Sequence, residues 1–502
     1  MQQIAFVLAA GKGTRMRSEK PKVLHPLLGE PMLGYVLENI EKAAAQEVLL
    51  VLGYGRERIM PFYGERATIV IQEEQRGTGH AARVALDYLK HRGDRLEEIE
   101  ILIVHGDTPL VSSTSLTRLH QAFKQNKSQA ALLTAHVERP FGLGRVLRDA
   151  EGRVQKIVEE KDATDVERQI KEINVGVYLF EARYLEWALG QLSTDNAQGE
   201  YYLTDVIHLI LTAGGNVTSV AAVDPDEALS INDRAELAVA EEALRRRILA
   251  YHMRQGVTIE MPDTVRIGPY VEIEPDVVIR PGTILMGATR IGKEAVIGPY
   301  SELKDVIVGD GALVRQTVAE AARIDDGATI GPFAYLRPGA QIGRGVRIGN
   351  FVEVKNSTIG EGSKVPHLAY VGDAIIGREV NMSCGTITVN YDGLEKHTTV
   401  IGDRAFIGCN VNLIAPVTIG DGAYVAAGST IDQPVPRGAL AIARARQMNK
   451  EDYVEAWLAR KKEKRLGQKE RVNKGTDFEH TSMDAPSSSS QHKKGTDDAQ
   501  LS

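Results

Sequence analysis

The chain changes its hydrophobic rhythm once, near Val257, and that change divides it. Before it, apolar runs recur at Ile4–Ala10, Val48–Gly53, Ala67–Gln72, Ile99–Val104, Ala130–Val137, Val175–Phe180 and Ser219–Val223. Amphipathic stretches such as Leu33–Ala44 and His80–Lys90 lie between them. Apolar strands alternating with one-sided helices predict a largely parallel sheet covered on both faces. This is an α/β Rossmann-like domain over residues 1–232, and its ligands belong at the carboxyl ends of strands. Asp233–Arg254 reads as one long helix with Leu237, Ala240, Leu244, Ile248 and Tyr251 on its apolar side. Residues 233–256 thus form a linker.

After Val257 aliphatic residues recur every sixth position: Ile267, Ile273, Ile279, Leu285, Ile291, Ile297 and Leu303. The series resumes over Ile324–Val354 and again over Ile401–Ile431. Four places after the aliphatic residue stands a small or β-branched one, such as Thr283, Ala295, Ala328 or Ala340. No helix has period six, whereas a left-handed parallel β-helix built of hexapeptide repeats does. The aliphatic residue fills the lumen and its small companion fits near a corner, so residues 257–445 are predicted to form this solenoid. Gly385–Thr399 breaks the register, is polar, and is predicted to loop out. Asn449–Arg465 reads as a short helix within 446–502, and Gly467–Ser502 has the composition of a disordered tail.

At 502 residues the chain exceeds one ordinary core. Its net charge of −7 argues against a nucleic-acid binder. Two cysteines, Cys384 and Cys409, cannot form a disulfide framework and imply a reducing compartment. No apolar run is long enough to span a bilayer. The expected location is the cytoplasm, with no membrane partner.

Candidate chemistry in the front domain begins where the first strand runs into Leu8, Ala9, Ala10, Gly11, Lys12, Gly13, Thr14, Arg15 and Met16. Glycines after a strand let backbone N–H groups approach a phosphate. The ending of a Walker P-loop is missing, and Met16 stands where a dinucleotide fingerprint has its third glycine. Pro21-Lys22 places a lysine able to fold back over phosphates. Gln72 ends a strand ahead of Gly77-Thr78, a second strand–turn–helix suited to reading a base. His105-Gly106-Asp107 sets a carboxylate at the end of a buried strand, a costly placement unless it is paired or bound to a metal.

In the solenoid, His367 is third in its hexad and faces out. Arg337, Lys355, Tyr370 and Asn381 also face out. Each has a bland reading as ordinary polar surface. Cys384 and Cys409 each fall third in a hexad, as small apolar fillers or as thiols beside a ligand path.

The Gly11–Met16 loop, Pro21-Lys22 and the Gly-Asp strand end resemble the sugar-nucleotidyltransferase (pyrophosphorylase) family. Gln72, Gly77-Thr78, Gly144-Arg145, Glu159, Asn174 and Asn232 fit its bifunctional bacterial branch, over roughly residues 1–450. The resemblance implies acetyl transfer from acetyl-CoA to glucosamine 1-phosphate, then uridylyl transfer from UTP to N-acetylglucosamine 1-phosphate, feeding cell-wall precursors. It assigns the uridine nucleotide to Leu8, Ala9, Ala10, Gly11, Gln72, Gly77 and Thr78, with His105 and Gly106 nearby. Lys22 and Arg15 neutralise the triphosphate, Asp107 and Asn232 hold Mg²⁺, and Gly144, Glu159 and Asn174 contact the N-acetylglucosamine. His105 departs from the tyrosine common in the family, and the backbone there is expected to matter more than the side chain. In the solenoid the resemblance makes His367 the general base. It gives the sugar phosphate to Arg337, Lys355, Tyr370 and Asn381, and acetyl-CoA to Cys384, Asn390, Tyr391, Cys409, Ala427 and Arg444. It also implies a homotrimer with sites between subunits. Two alternatives stay open: a single-activity pyrophosphorylase with a scaffold solenoid, and a non-catalytic assembly protein.

Overall fold

A computed structural model describes residues 1–473. The chain divides into two compact units, the first ending at Ala443 and the second beginning at Arg444.

The first unit opens with a nine-stranded sheet: β1 Gln2–Ala9, β2 Glu47–Leu52, β3 Thr68–Ile71, β4 Ile99–His105, β5 Ala130–His136, β6 Arg145–Arg148, β7 Val154–Val158, β8 Glu172–Glu181 and β9 Val217–Ala221. Its main path runs β9-β5-β8-β4-β1-β2-β3, with β6 and β7 as a hairpin attached to β8. The pairs along the path are parallel except those of β8, which is antiparallel to β4 and β5. Burial of β1, β2, β4 and β5 on both faces accounts for their unbroken apolar runs. The hairpin has no such run, because Arg145, Arg148 and Lys156 interrupt it, and the apolar-run pattern passes over it.

The linker helix spans Arg234–Arg254, capped by Asp233, whose carboxylate accepts from the N–H groups of Ala235 and Glu236. Tyr251 does not share its apolar side: it is exposed, while Leu249 and His252 are buried. Arg245 is buried and donates to the carbonyls of Pro262 and Val265, tying the helix to the first coil.

The solenoid is a left-handed parallel β-helix with three parallel sheets of eleven, ten and nine short strands. The hexad residues and their small companions point inward; Leu285, Ile297, Leu336 and Ile407 are fully buried, as are Thr283, Ala295 and Ala328. The register slips have simple causes. Val308, Val314 and Ala319 continue the inward series between Leu303 and Ile324, on sides that are sometimes one residue shorter. The predicted loop-out of Gly385–Thr399 is too long. Ile387–Val389 is a strand paired on both sides, and only residues 390–398 leave the coil. Thr386 and Thr388 fill the inward positions there. Gly372 donates to the Thr388 hydroxyl, which donates back to its carbonyl, so a polar residue is tolerated inside.

In the second unit a helix runs Tyr453–Asn473, longer than expected. Gly467 to Asn473 belongs to it rather than to the tail, because its Lys, Glu, Gln and Arg residues are good helix formers. The remaining tail, 474–502, lies outside the described residues.

Candidate active sites

The front site forms where β1 and β4 end side by side. Leu8 pairs with His105, and the Gly106 N–H donates to the Leu8 carbonyl at 2.9 Å. A Cβ on Gly106 would stand 3.0 Å from that of Ala9, so a side chain there would crowd the crossing. Gly13 turns through a positive φ of 58°, and a Cβ there would meet Lys22 Cβ at 2.7 Å. The missing side chain is what lets Lys22 fold back against the loop. Its ammonium then bonds the Asp107 carboxylate and, at 3.0 Å, Asn232 Oδ1.

Asn232 reaches this point from the far end of the domain. The Ile231 N–H donates to the Asp107 carbonyl, and the Glu236 carboxylate accepts from the Asn232 N–H at 2.7 Å. The helix cap thus fixes the residue as well as the helix. Burial pushes the Asp107 pKa up, but the Lys22 ammonium and His105 outweigh it, so the carboxyl lies below its ordinary range. His105 is lowered by burial, which favours its neutral ring.

Two adjoining cavities, of about 460 and 340 Å³, open here and share Thr78, His105, Asp107 and Glu200. Leu8, Ala9, Ala10, Gly11, Lys22, Gln72, Gly77 and Thr78 line the larger. Gly144, Glu159, Asn174, Asn232 and Arg15 line the smaller. The structure therefore brings the two predicted sets of residues together as neighbours. It puts Arg15 at the smaller cavity, while Lys12 and Thr14 face the larger one. The His105 ring faces both cavities and packs against Gly176, where a Cβ would come within 3.0 Å of it. The side chain, and not the backbone alone, thus faces the site.

Local packing shapes the smaller cavity. The Asn174 N–H donates to the Gly144 carbonyl, and the Asn174 amide donates to the Tyr178 hydroxyl at 2.6 Å. The Glu159 carboxylate accepts from the Thr204 hydroxyl at 3.1 Å, yet burial raises its pKa. Arg145 turns away into a buried pair with Glu160. The sequence reading missed Glu200, Tyr202 and Thr204. Their segment is docked by Leu203 N–H donating to the Thr78 hydroxyl and Gly79 N–H donating to the Tyr201 carbonyl. The polar and aromatic run Glu200–Asp205 was the available signal.

On the solenoid the sites are columns. Asn350 pairs with His367, and Lys364 with Asn381, which sets His367 beside Cys384. The Asn410 N–H donates to the Cys384 carbonyl and the Gly428 N–H to the Cys409 carbonyl. Asn350, His367, Cys384, Cys409 and Ala427 therefore stack on consecutive coils along one corner. Asn350 Oδ1 lies 2.6 Å from His367 Nδ1. An amide oxygen can only accept, so Nδ1 carries the proton and the neutral ring keeps a lone pair on Nε2. Sequence reading missed Asn350 because it carries no signal until the coil closes.

A second column holds Arg337 and Lys355 on neighbouring coils, since Leu336 pairs with Val354. Arg337 pairs with Glu353 at 2.8 Å. Tyr370 lies across Gly372, where a Cβ would meet its hydroxyl at 2.5 Å. The Lys396 ammonium pushes Lys355 below the ordinary lysine range; Arg337 adds to this and Asp373 opposes it. Lys396 thus joins the cations, brought back by the excised loop. Asn390 is buried and bonded to Asp373, anchoring the loop, while Tyr391 is exposed. Asn381 is half-buried and donates to the Ser383 hydroxyl. Cys384 is half-buried and Cys409 exposed, so neither fills the lumen. Arg444 opens the second unit and is exposed.

Residues 5–252 match the family described as MobA-like NTP transferase domain, and 398–433 match Bacterial transferase hexapeptide (six repeats). Residues 318–390 match the GMPPB C-terminal domain. A relative named Bifunctional protein GlmU from Brevibacillus brevis is 49% identical over 449 residues, 89% of this chain and 96% of its own. Relatives of the same name from a Geobacillus species and from Geobacillus thermodenitrificans are also 49% identical. They cover 91% and 92% of this chain and 98% and 100% of their own. With a nucleotidyltransferase fold in front and a hexapeptide-repeat acetyltransferase fold behind, the chain belongs to the GlmU family of bifunctional enzymes, which make UDP-N-acetylglucosamine in two steps.

Proposed function

We propose that the two cavities and the two columns are the sites of these two steps, in reverse chain order. At the corner column, Nε2 of His367 takes a proton from the amine of glucosamine 1-phosphate as that amine attacks the acetyl thioester. Asn350 holds the ring in the required tautomer. Arg337, Lys355 and Lys396 bind the sugar phosphate, Tyr370 and Asn381 orient the ring, and Cys384, Cys409, Ala427 and Tyr391 line the path of acetyl-CoA, with Asn390 holding the loop of Tyr391 in place. The observation that carries this reading is the His367–Asn350 bond on an outer corner, which a scaffold solenoid has no need of.

In the front domain the sugar phosphate oxygen attacks the α-phosphorus of UTP and pyrophosphate leaves. Loop N–H groups around Gly11, with Lys22 and Arg15, stabilise the phosphates. Nucleotidyl transfer of this kind depends on a divalent metal, and Mg²⁺ fits Asp107 and Asn232. Both oxygens are hard donors, and they already converge on one cation, the Lys22 ammonium. Among the described residues no group of three or more His, Cys, Asp or Glu could hold a metal, so Asp107 and Asn232 are the side chains that would hold the ion. Bound there, the ion supplies charge neutralisation on the phosphates.

No helix among the described residues is long and apolar enough to cross a membrane, and a cytoplasmic homotrimer is the working assembly. The test is one mixture of protein, glucosamine 1-phosphate, acetyl-CoA, UTP and Mg²⁺. Free CoA and UDP-N-acetylglucosamine are both expected; no CoA from this mixture, with pyrophosphate released once N-acetylglucosamine 1-phosphate is added, would leave a single-activity enzyme.

A further inference from the structure

The chain has two cysteines, and the fold stacks them. Met382 pairs in register with Ile407, so two residues further on Cys384 stands over Cys409, and the Asn410 N–H donates to the Cys384 carbonyl at 2.8 Å. Neighbouring strands are about 4.8 Å apart, within the roughly 4.4–6.8 Å Cα separation that a disulfide spans. Both thiols are free and outward, with Met382 and Ile407 filling the lumen in their place. Along the same corner His367 is one coil away from Cys384, which puts the thiols roughly 5 and 10 Å from it.

We propose that Cys384 and Cys409 form a dithiol site for the disulfide form of coenzyme A, which oxidises the pair and closes acetyl transfer. This rests on the reading that the column holds acetyl-CoA. A pocket that seats the coenzyme with its sulfur at this column also brings the coenzyme's own disulfide to the thiols. The exposed Cys409 thiolate attacks the CoA disulfide, forming a Cys409–CoA disulfide and expelling one CoA thiolate, which takes up a proton. The Cys384 thiolate then attacks Cys409 Sγ and expels the second CoA. Two cysteine thiols are oxidised to one disulfide, and one CoA disulfide is reduced to two thiols. The new bond occupies the space beside His367 where the thioester must lie. Reduction by a small thiol reverses it.

The experiment incubates the full chain, without air, with CoA disulfide. Expected are loss of both thiols, release of two CoA per chain, and loss of acetyl transfer with uridylyl transfer unchanged. Dithiothreitol restores activity. Cys384→Ser stops at the first step and keeps one CoA bound, visible in the intact mass. Glutathione disulfide at equal concentration reacts about tenfold more slowly or worse, having no seat at the column. Thiols that survive CoA disulfide, full acetyl transfer by the oxidised pair, or equal rates with glutathione disulfide would each overturn the proposal. A second arm separates its failure from that of the underlying reading. Acetyl-CoA slows alkylation of the thiols by iodoacetamide if the column holds it. No protection sinks both readings, whereas protection with inert CoA disulfide sinks this one alone.

Discussion

The front cavities and the solenoid columns gather similar groups, lysine and arginine cations beside carboxylates, in opposite surroundings. In front, Lys22 and Asp107 are only 13% and 19% exposed, and their mutual attraction outweighs the effect of burial on the carboxyl. On the solenoid, Arg337 and Glu353 are 36% and 38% exposed, so water screens the pair. Enclosure gives the front site its electrostatic strength. Repetition gives the solenoid its placement: a residue's rung fixes its neighbours through the backbone ladder.

This contrast can be tested from its strongest consequence down. His367→Ala should lower acetyl-transfer kcat by about 10²–10⁴-fold and leave uridylyl transfer untouched, measured by CoA and pyrophosphate release; loss of both would mean the sites are not separate. Asp107→Asn should lower uridylyl transfer by about 10²–10³-fold and spare CoA release. Chelation of divalent metal should produce the same asymmetry. Arg337→Ala should raise the KM for glucosamine 1-phosphate on the order of tenfold, less than an enclosed partner would. An effect on kcat alone would place the phosphate elsewhere.

The smallest effect is a stability one. Burial raises the Glu159 pKa, so the fold disfavours its ionised form; that penalty is full above the folded pKa, fades as pH falls from there toward the unfolded value, and is gone below it. Glu159→Gln keeps an acceptor for Thr204 and carries no charge. Its Tm should equal or exceed that of the natural chain at pH 7.5, with the gap closing toward pH 4. A gap that widens on acidification would contradict the raised pKa.

Much of the site was legible because its chemistry is carried by short motifs on strand ends. Gly11, Gly13 and Lys22 sit within one turn and its return, and Gly106-Asp107 ends an apolar strand. Glu200 and Thr204 were not legible, since what makes them site residues is docking on Gly77–Gly79, more than a hundred positions earlier. The β6–β7 hairpin was missed for a related reason: its strands are short and half-charged, and they exist because β8 offers them an edge. In the solenoid, Thr388 hid a coil because its hydroxyl is satisfied inside by Gly372.

The sequence by itself determined the two architectures, because hydrophobic period is a local property that each strand or hexad expresses alone. It also determined which residues face outward on the coil. Which outward residues meet was decided only by the tertiary structure. Seventeen positions separate Asn350 from His367, but twenty-five separate Cys384 from Cys409. Both pairs are next-door neighbours, since residues 390–398 are set outside the coil and add chain length without adding a rung. Closure of each coil, not spacing along the chain, is what sets a base, its positioning amide and two thiols in one line.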